Sequence, residues 1–301
     1  MKTADNSTDF LCERLLKQKN EALHVLYRNS VFAVEKLLTH YKLVFPFFTD
    51  HTFLHAEQVI NYSNLILGKK NAELLSAEEL YILLMAACLH DSGMGISEKD
   101  FQEIAPGVPG LPEYIAAQPE SSTKEQIRAY HNEFSVGFIR KYHELFEIPD
   151  GGFVHCICQV ARGHRKIDLM DPEVMERVYL LKNGAPVRLA YLSAVVRLAD
   201  EMDVTSNRNL LFDYDHYQYD SAYQALCFKV HRAIKQIYPE NGTLCILYDA
   251  AVEQHVLDEV NLISEKLEQT VKECQRVMEQ YAEFEVLYTG VKPVPLQNMQ
   301  A

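Results

Sequence analysis

The chain has 301 residues, of which 48% are hydrophobic and 24% charged. This globular composition excludes a disordered, collagen-like or coiled-coil protein and provides enough chain for a large core. Lysine and arginine number 29 against 42 acidic residues, which gives a formal net charge of −13. Broad nucleic-acid binding is therefore not expected, although a local basic pocket is compatible with this charge.

The seven cysteines form no Cys-x-x-Cys pair, so we expect reduced thiols that serve in packing. No apolar stretch follows the N-terminal lysine, and the sequence therefore predicts no signal peptide. The longest uncharged apolar run, from Leu80 to Leu89, is shorter than the roughly 20 residues that cross a bilayer. We expect a soluble, cytoplasmic protein without membrane contact.

Apolar residues at three- and four-residue spacing predict helices through most of the first two thirds of the chain. Residues 9–44 predict two helices, which the following Phe-Pro-Phe-Phe string ends. A cap at Thr49 or Asp50 would open the next helix, which carries His55. The run from Leu80 to Leu89 is apolar on every side, and such a helix is expected to be buried.

Prolines and glycines cluster between residues 96 and 119. This composition predicts a long loop or insertion, of the kind that forms lids and binding segments. Further helices are expected over residues 122–142, 153–163 and 187–204, the first of them opened by a capping box at Ser122 and Glu125.

The last third of the chain has a different pattern. Residues 225–249 partly alternate around a Pro-Glu-Asn-Gly turn, which predicts a hairpin. An amphipathic helix over 254–281 and a strand over 284–289 would complete a β-β-α-β unit. We therefore predict a mainly α protein with a helical domain over residues 1–214 and a small α+β unit over 215–301. Pocket shaping, packing and homodimerisation are open as roles for this unit.

His90 and Asp91 stand together after ten uncharged residues. Burying ionisable groups without partners is costly, and a metal ion would compensate both side chains. The alternative is that His90 caps its helix and Asp91 caps a turn. Four other residues fall on or beside apolar helical faces: His55, His131, His164 and Asp200. Each histidine alone could instead be a hydrogen-bonded core or rim residue, whereas an inward-facing Asp200 would be costly. Their number favours a joint metal site.

Five strings carry a family resemblance. In chain order they are TDHTFLHAEQVI, LLMAACLHDSGMGIS, YHNEFSVGFI, QVARGHRKID and VVRLADEMDVTSNRN. Together they resemble the HD superfamily of metal-dependent phosphohydrolases over about residues 45–209. The resemblance implies an HD-type helical bundle and a divalent metal bound by His55, His90, Asp91 and Asp200. His131 and His164 match the additional histidines of HD proteins that hold two metals.

The resemblance also implies roles for these side chains. Asp91 would bridge two metal ions, and His90, Asp91 and His131 would take part in catalysis. With one ion, His131 and His164 would instead contact phosphate or protonate the leaving group. Histidine and carboxylate ligands suit Mn, Fe, Zn, Co or Ni, and Mg less well.

Basic residues near these motifs are candidates for holding phosphate oxygens. The substrate-binding candidates are Arg165, Lys166 and Arg208. Arg128 and Arg197 are expected to form ion pairs. His51, one turn before His55, is expected to orient a metal ligand.

The predicted function is hydrolysis of a phosphate ester of a nucleotide or related small molecule, as a phosphomonoesterase or phosphodiesterase. No Gly-Tyr-Pro element occurs, which argues against cyclic di-guanylate as the substrate. The alternative is a non-catalytic HD-fold nucleotide sensor or partner-regulated effector module.

Overall fold

The computed structural model describes residues 11–46, 49–208 and 221–296. The helices in these ranges are α1 (Leu11–Lys19), α2 (Glu21–Leu38), α3 (Tyr41–Val44), α4 (Phe53–Leu74), α5 (Ala77–Leu89), α6 (Glu98–Ile104), α7 (Leu111–Ala117), α8 (Thr123–Tyr142), α9 (Gly151–Arg162), α10 (Leu189–Glu201), α11 (Ala222–Ala233) and α12 (Gln254–Met278). The strands are β1 (Tyr179–Leu180), β2 (Pro186–Val187), β3 (Ile234–Glu240), β4 (Thr243–Asp249) and β5 (Gly290–Leu296). The predicted mainly α fold is confirmed.

Helix α5 forms the centre of the bundle. Ser76 caps it through a capping box with Glu79, and every residue from Leu80 to Leu89 is buried. Helices α1, α2, α4, α9 and α10 pack around α5. The prediction that this apolar run is a buried helix is confirmed, and its C-terminal end brings His90 and Asp91 into the interior.

The predicted long loop over residues 96–119 is wrong, because this segment contains α6, a 3-10 turn over Ala105–Gly107 and α7. Ser97 opens α6 with a capping box. A proline stands in the first turn both of the 3-10 turn and of α7. Proline is favoured there because the first turn needs no intrahelical N–H donor. The prolines therefore mark helix starts.

Two further predictions in the N-terminal part need correction. The chain adds a third short helix, α3, to the two expected before residue 45. Helix α4 begins after Thr52, and the Asp50 side chain accepts a hydrogen bond from the Thr52 N–H instead of capping the helix itself. Residues 47 and 48 of the Phe-Pro-Phe-Phe string lie outside the described residues.

The C-terminal sheet has the order β3-β4-β5, with β3 and β4 antiparallel and β4 and β5 parallel. Asn241 and Gly242 turn the hairpin with positive φ angles of 48° and 75°, as such tight turns require. The predicted hairpin is thus correct, but residues 225–233 belong to helix α11, which Ser221 caps. Helix α12 packs on α10 through buried apolar residues.

The predicted last strand over residues 284–289 is also wrong, because the strand is β5 and begins at Gly290. Residues 281–288 instead connect α12 to β5 along the bundle. The Phe284 ring stacks on Tyr191 with centroids 4.0 Å apart. The Asn71 amide donates to the Glu285 carbonyl and accepts from its N–H. The apolar residues read as a strand therefore serve in packing against α4 and α10.

The division at residues 214 and 215 falls in a range that the structure does not describe, and it stays a prediction. Within the described ranges no single helix is both long and apolar enough to cross a membrane; only a bent pair, Ala77–Gly95 with Glu98–Gly107, passes that test together, by length and composition alone.

Candidate metal centre

Six side chains from five parts of the bundle converge on one buried site. Helix α4 contributes His55 in its first turn, and the C-terminal end of α5 contributes His90 and Asp91. His131 follows a bend in α8 at Tyr130. His164 follows the end of α9, and Asp200 lies in the last turn of α10. All six residues that the resemblance implied as metal ligands therefore lie together.

The Asp91 carboxylate lies between two histidine pairs. Its Oδ2 atom is 3.4 Å from Nε2 of both His55 and His90. Its Oδ1 atom is 3.4 Å from Nε2 of His131 and 3.7 Å from Nε2 of His164. Asp91 thus belongs to two sets of three donors, one with His55 and His90 and one with His131 and His164, and the atoms of each set lie close enough together to hold a metal ion.

The histidine rings are oriented by their Nδ1 atoms. The Nδ1–H groups of His90, His131 and His164 donate to the carbonyls of Ala87, Arg128 and Ala161 at 2.9, 2.9 and 2.5 Å. The Nδ1 atom of His55 instead lies 2.6 Å from Oδ2 of Asp203. With Nδ1 protonated in each ring, all four Nε2 atoms point into the site, and each offers a lone pair to a metal ion when it is deprotonated.

This orientation brings lone pairs face to face. The Nε2 atoms of His55 and His90 are 3.1 Å apart, and those of His131 and His164 are also 3.1 Å apart. Two acceptors at this separation repel each other unless a proton or cation lies with them. All four rings are buried, beside a carboxylate. The donor set therefore fits divalent metal ions of the kind that imidazole and carboxylate bind.

Asp200 belongs to the side of the site formed by His55 and His90. Its Oδ1 atom is 3.2 Å from Nε2 of His55 and 3.6 Å from Nε2 of His90. Its side chain keeps 24% of its surface exposed, whereas that of Asp91 keeps 8%. Asp200 is thus a ligand candidate at the mouth of the site.

The protonation states of Asp91, His131 and His164 suit metal ligands. Burial would lower the pKa values of His55 and His90, but the neighbouring carboxylates raise both, that of His90 to about 9. Burial would raise the pKa of Asp91, but the His90 charge and the bonds from His55 and His90 hold it well below its usual range. Burial, helped by the charges of His90 and His131, lowers the pKa of His164 to about 3. Burial also lowers the pKa of His131. The carboxylate is therefore ionised and both of these imidazoles are neutral, as coordination requires.

His51 lies at the edge of this centre. Its Nδ1 atom is 2.6 Å from the Thr49 carbonyl, and its Nε2 atom is 3.8 Å from Asp91 Oδ2 and 3.2 Å from the Arg208 guanidinium. The structure thus places His51 beside a ligand, outside both three-residue sets. Its predicted orienting role stays a prediction.

Asp203 is the site residue that the sequence reasoning missed. It is fully buried, and its carboxylate contacts the Nδ1 atom of His55. Its Oδ1 atom has no hydrogen-bond partner among the described residues. The signal was its position three residues after Asp200 at a helix end, where both side chains turn toward the same region. A carboxylate behind a ligating imidazole fixes the ring and raises its basicity.

The sequence matches the HD-CE family over residues 45–275, which is most of the chain and includes all six converging residues. The protein belongs to the HD-CE family. No curated protein and no solved structure gives a match.

The candidate metal centre of this HD-CE protein opens into a cavity of about 720 Å³. The bundle lines it with Arg165, Lys166, Arg197 and Arg208, and helix α12 adds Lys266 and Arg276. Three carboxylates outside the centre also line it: Asp168, Glu201 and Glu273. The three substrate-binding candidates from the sequence therefore share one cavity with the metal centre. The HD-CE match also extends into α12, so this wall lies almost wholly inside the matched region.

Two arginines of the cavity are held by the protein itself. Arg208 donates to the carbonyls of Asp50 and Asp203, at 3.2 and 2.6 Å. Arg197 donates to the carbonyls of Gly163 and Ile167, at 2.9 and 2.5 Å, and so braces the loop that carries His164.

The contacts of Arg197, Arg128 and Arg208 can be compared with the roles predicted for these residues. The expected ion pair of Arg197 is a long contact of 3.9 Å to Glu273. The Arg128 guanidinium lies 6.0 Å from the Tyr223 ring centroid. Phosphate binding by Arg208 stays a prediction, and its guanidinium already contacts the backbone.

Proposed function

We propose that this HD-CE protein is a metal-dependent phosphohydrolase that hydrolyses a phosphate ester of a nucleotide or a related small molecule. The observation that carries the proposal is the Asp91 carboxylate between two histidine pairs at the floor of a cavity whose walls carry several arginines and lysines. Six lysine and arginine side chains around one cavity are notable in a chain of net charge −13, because each can attract an anion to this place.

Two ions are favoured over one by the environment of the second histidine pair. His131 and His164 are buried, and their lowered pKa values leave both rings neutral. A neutral imidazole is a good metal ligand but cannot donate a proton from Nε2 to a leaving group. We therefore assign His131 and His164 as ligands and not as a general acid.

Bound divalent metal would supply Lewis acidity that activates water and neutralises phosphoryl charge. The chain contributes the rest. Asp91 and the four histidines hold the ligand geometry, and Asp203 fixes the His55 ring. Arg165 follows His164 directly and lines the cavity, where its guanidinium can orient a phosphate.

The test compares Asp91→Asn with Asp258→Asn, since Asp258 is an exposed carboxylate on α12. Metal content per chain is measured by inductively coupled plasma mass spectrometry after reconstitution with Mn, Fe or Zn. Phosphate release is then measured with a panel of nucleotides and phosphodiesters. We expect Asp91→Asn to lose metal and turnover and Asp258→Asn to retain both. Equal activity of the two variants would contradict the mechanism.

A sensor would behave differently in the same assay. It would bind metal and retain a nucleotide unchanged, so binding without phosphate release across the panel would favour the non-catalytic alternative. Wild-type protein without metal after reconstitution would overturn both the enzyme and its metal centre.

A further inference from the structure

Helix α12 provides one wall of the cavity, and Arg276 lies on this wall. In sequence, Arg276 follows all of the HD motifs. Arg165 lines the same cavity from the loop after His164. Both guanidinium groups are exposed, and neither makes an ion pair or hydrogen bond with any residue that the structure describes. Arg165 and Arg276 are thus two cations in one cavity that have no ion-pair or hydrogen-bond partner among the described residues.

The other cations of the cavity are engaged. Lys266 forms an ion pair with Glu201 at 2.7 Å, and Lys166 donates to a backbone carbonyl at 2.6 Å. Arg197 and Arg208 bond to carbonyls as described above. Arg165 and Arg276 can therefore bind an anionic ligand without breaking an existing contact.

The dimensions of the cavity exceed those of a single phosphate. Its α12 wall runs from Lys266 to Arg276, which is about 15 Å of helix at 1.5 Å per residue. Its volume of about 720 Å³ is in the range of sites that enclose a whole small molecule. Lys266, at one end of this wall, pairs with Glu201, which neighbours Asp200, and Arg276 lies ten residues farther along α12. An anion bound at Arg276 is therefore distant from the part of the centre beside Asp200.

We infer that Arg276 is a specificity-determining residue that binds a second phosphate group of the substrate, remote from the phosphate at the metal centre. The inference rests on the proposed function for the position of the first phosphate. The substrate class is accordingly a nucleotide with at least two phosphate groups, either in one chain or at two positions of the sugar. A guanidinium suits this task because its fork of donors matches phosphate oxygens.

The experiment uses the full chain and three probes: adenosine 5′-monophosphate, adenosine 5′-diphosphate and adenosine 3′,5′-bisphosphate. Affinity is measured by equilibrium dialysis on metal-free protein, where metal-dependent turnover cannot occur, and kcat/KM is measured on Mn-loaded protein. The variants are Arg276→Gln, Arg276→Lys and the control Lys272→Gln. Lys272 is exposed on the same helix and pairs with Glu268 away from the cavity.

We expect Arg276→Gln to weaken binding of at least one probe with two phosphates about 10- to 100-fold, the loss typical of a charge-assisted hydrogen bond. The monophosphate should change by less than about 3-fold, since it lacks the remote group. Arg276→Lys should restore part of the loss, and Lys272→Gln should match wild type. The probe that responds identifies where the second phosphate lies.

Two failures are distinguishable. Wild-type protein that hydrolyses no probe would count against the proposed function, while the affinities would still decide the role of Arg276. If Arg276→Gln binds both two-phosphate probes as tightly as wild type, the inference is overturned, whatever the hydrolysis assay gives.

Discussion

Asp203 links the metal centre to the interior behind it. Its Oδ2 atom is 2.6 Å from Nδ1 of His55, and Arg208 donates to its backbone carbonyl. Burial would raise the pKa of this carboxyl, but the bond from His55 and the charge of Arg208 keep it lowered. An ionised Asp203 therefore holds the His55 ring with Nε2 directed at Asp91 and Asp200.

We expect Asp203→Ala to weaken Mn affinity about 10- to 100-fold, the usual effect of removing a carboxylate behind a ligating histidine. Asp203→Asn should lose less, because its amide oxygen can still accept the His55 Nδ1–H bond. Isothermal titration with Mn checks both, with circular dichroism to establish folding. A folded Asp203→Ala protein with wild-type Mn affinity would show that His55 needs no such support.

At the scale of elements, the turn after α5 is fixed against α8. Gly93 N–H donates to the Ser135 hydroxyl at 2.9 Å, and that hydroxyl donates to the His90 carbonyl at 2.6 Å. A Cβ atom on Gly93 would lie only 2.6 Å from the Ser135 nitrogen and would also press on the His131 carbonyl. The glycine therefore allows the backbone of α8 to approach, which brings His131 to Asp91.

Gly93→Ala should destabilise the fold by about 1–3 kcal/mol through overpacking, and it should reduce metal content because α8 must move away. Gly107→Ala is the matched control, since nothing lies within 4 Å of a Cβ placed there. Urea denaturation and metal analysis provide the two measurements. Equal denaturation midpoints for the two variants would mean that the backbone contact between Gly93 and α8 does not limit stability.

The sequence predicted those helices and strands whose hydrophobic pattern directly reflects their burial. Helix α5 was found because burial on all sides left ten uncharged residues in a row. The helices at 96–119 were missed because their prolines were counted as loop composition, whereas their positions at helix starts carry the information. Strand β5 was missed because it contains Pro293 and Pro295, which an edge strand tolerates.

The candidate site shows a similar division. The six ligand candidates could be predicted because motif order and apolar faces are local in sequence. Their partners could not. The Asp203–His55 bond spans 148 residues and the α12 wall of the cavity is still farther along the chain. Such contacts depend on how helices pack, which periodicity within each helix does not specify.

At the scale of the whole molecule, the segment that directly follows α12 is anchored to two helices of the bundle. Arg188, at the start of α10, pairs with the fully buried Glu79 of α5 and with Glu283 after α12. Asn71 and Glu285 add two reciprocal hydrogen bonds between α4 and the same segment. The C-terminal unit is thereby positioned relative to the metal centre by the bundle's own helices.

The metal centre should contribute to the stability of the whole chain, because its ligands come from α4, α5, α8, α10 and the loop after α9. A ligand that binds only the folded state stabilises it by about 2.7 kcal/mol at a hundred times its Kd. For a chain of this size that corresponds to a rise in Tm of about 4 °C. Differential scanning fluorimetry of EDTA-treated protein with increasing Mn measures it. Asp91→Asn should show no rise, because the remaining donors lose the carboxylate that serves both sets. A wild-type Tm that stays constant up to saturating Mn would imply that the buried His-Asp cluster is stable without an ion and serves packing alone.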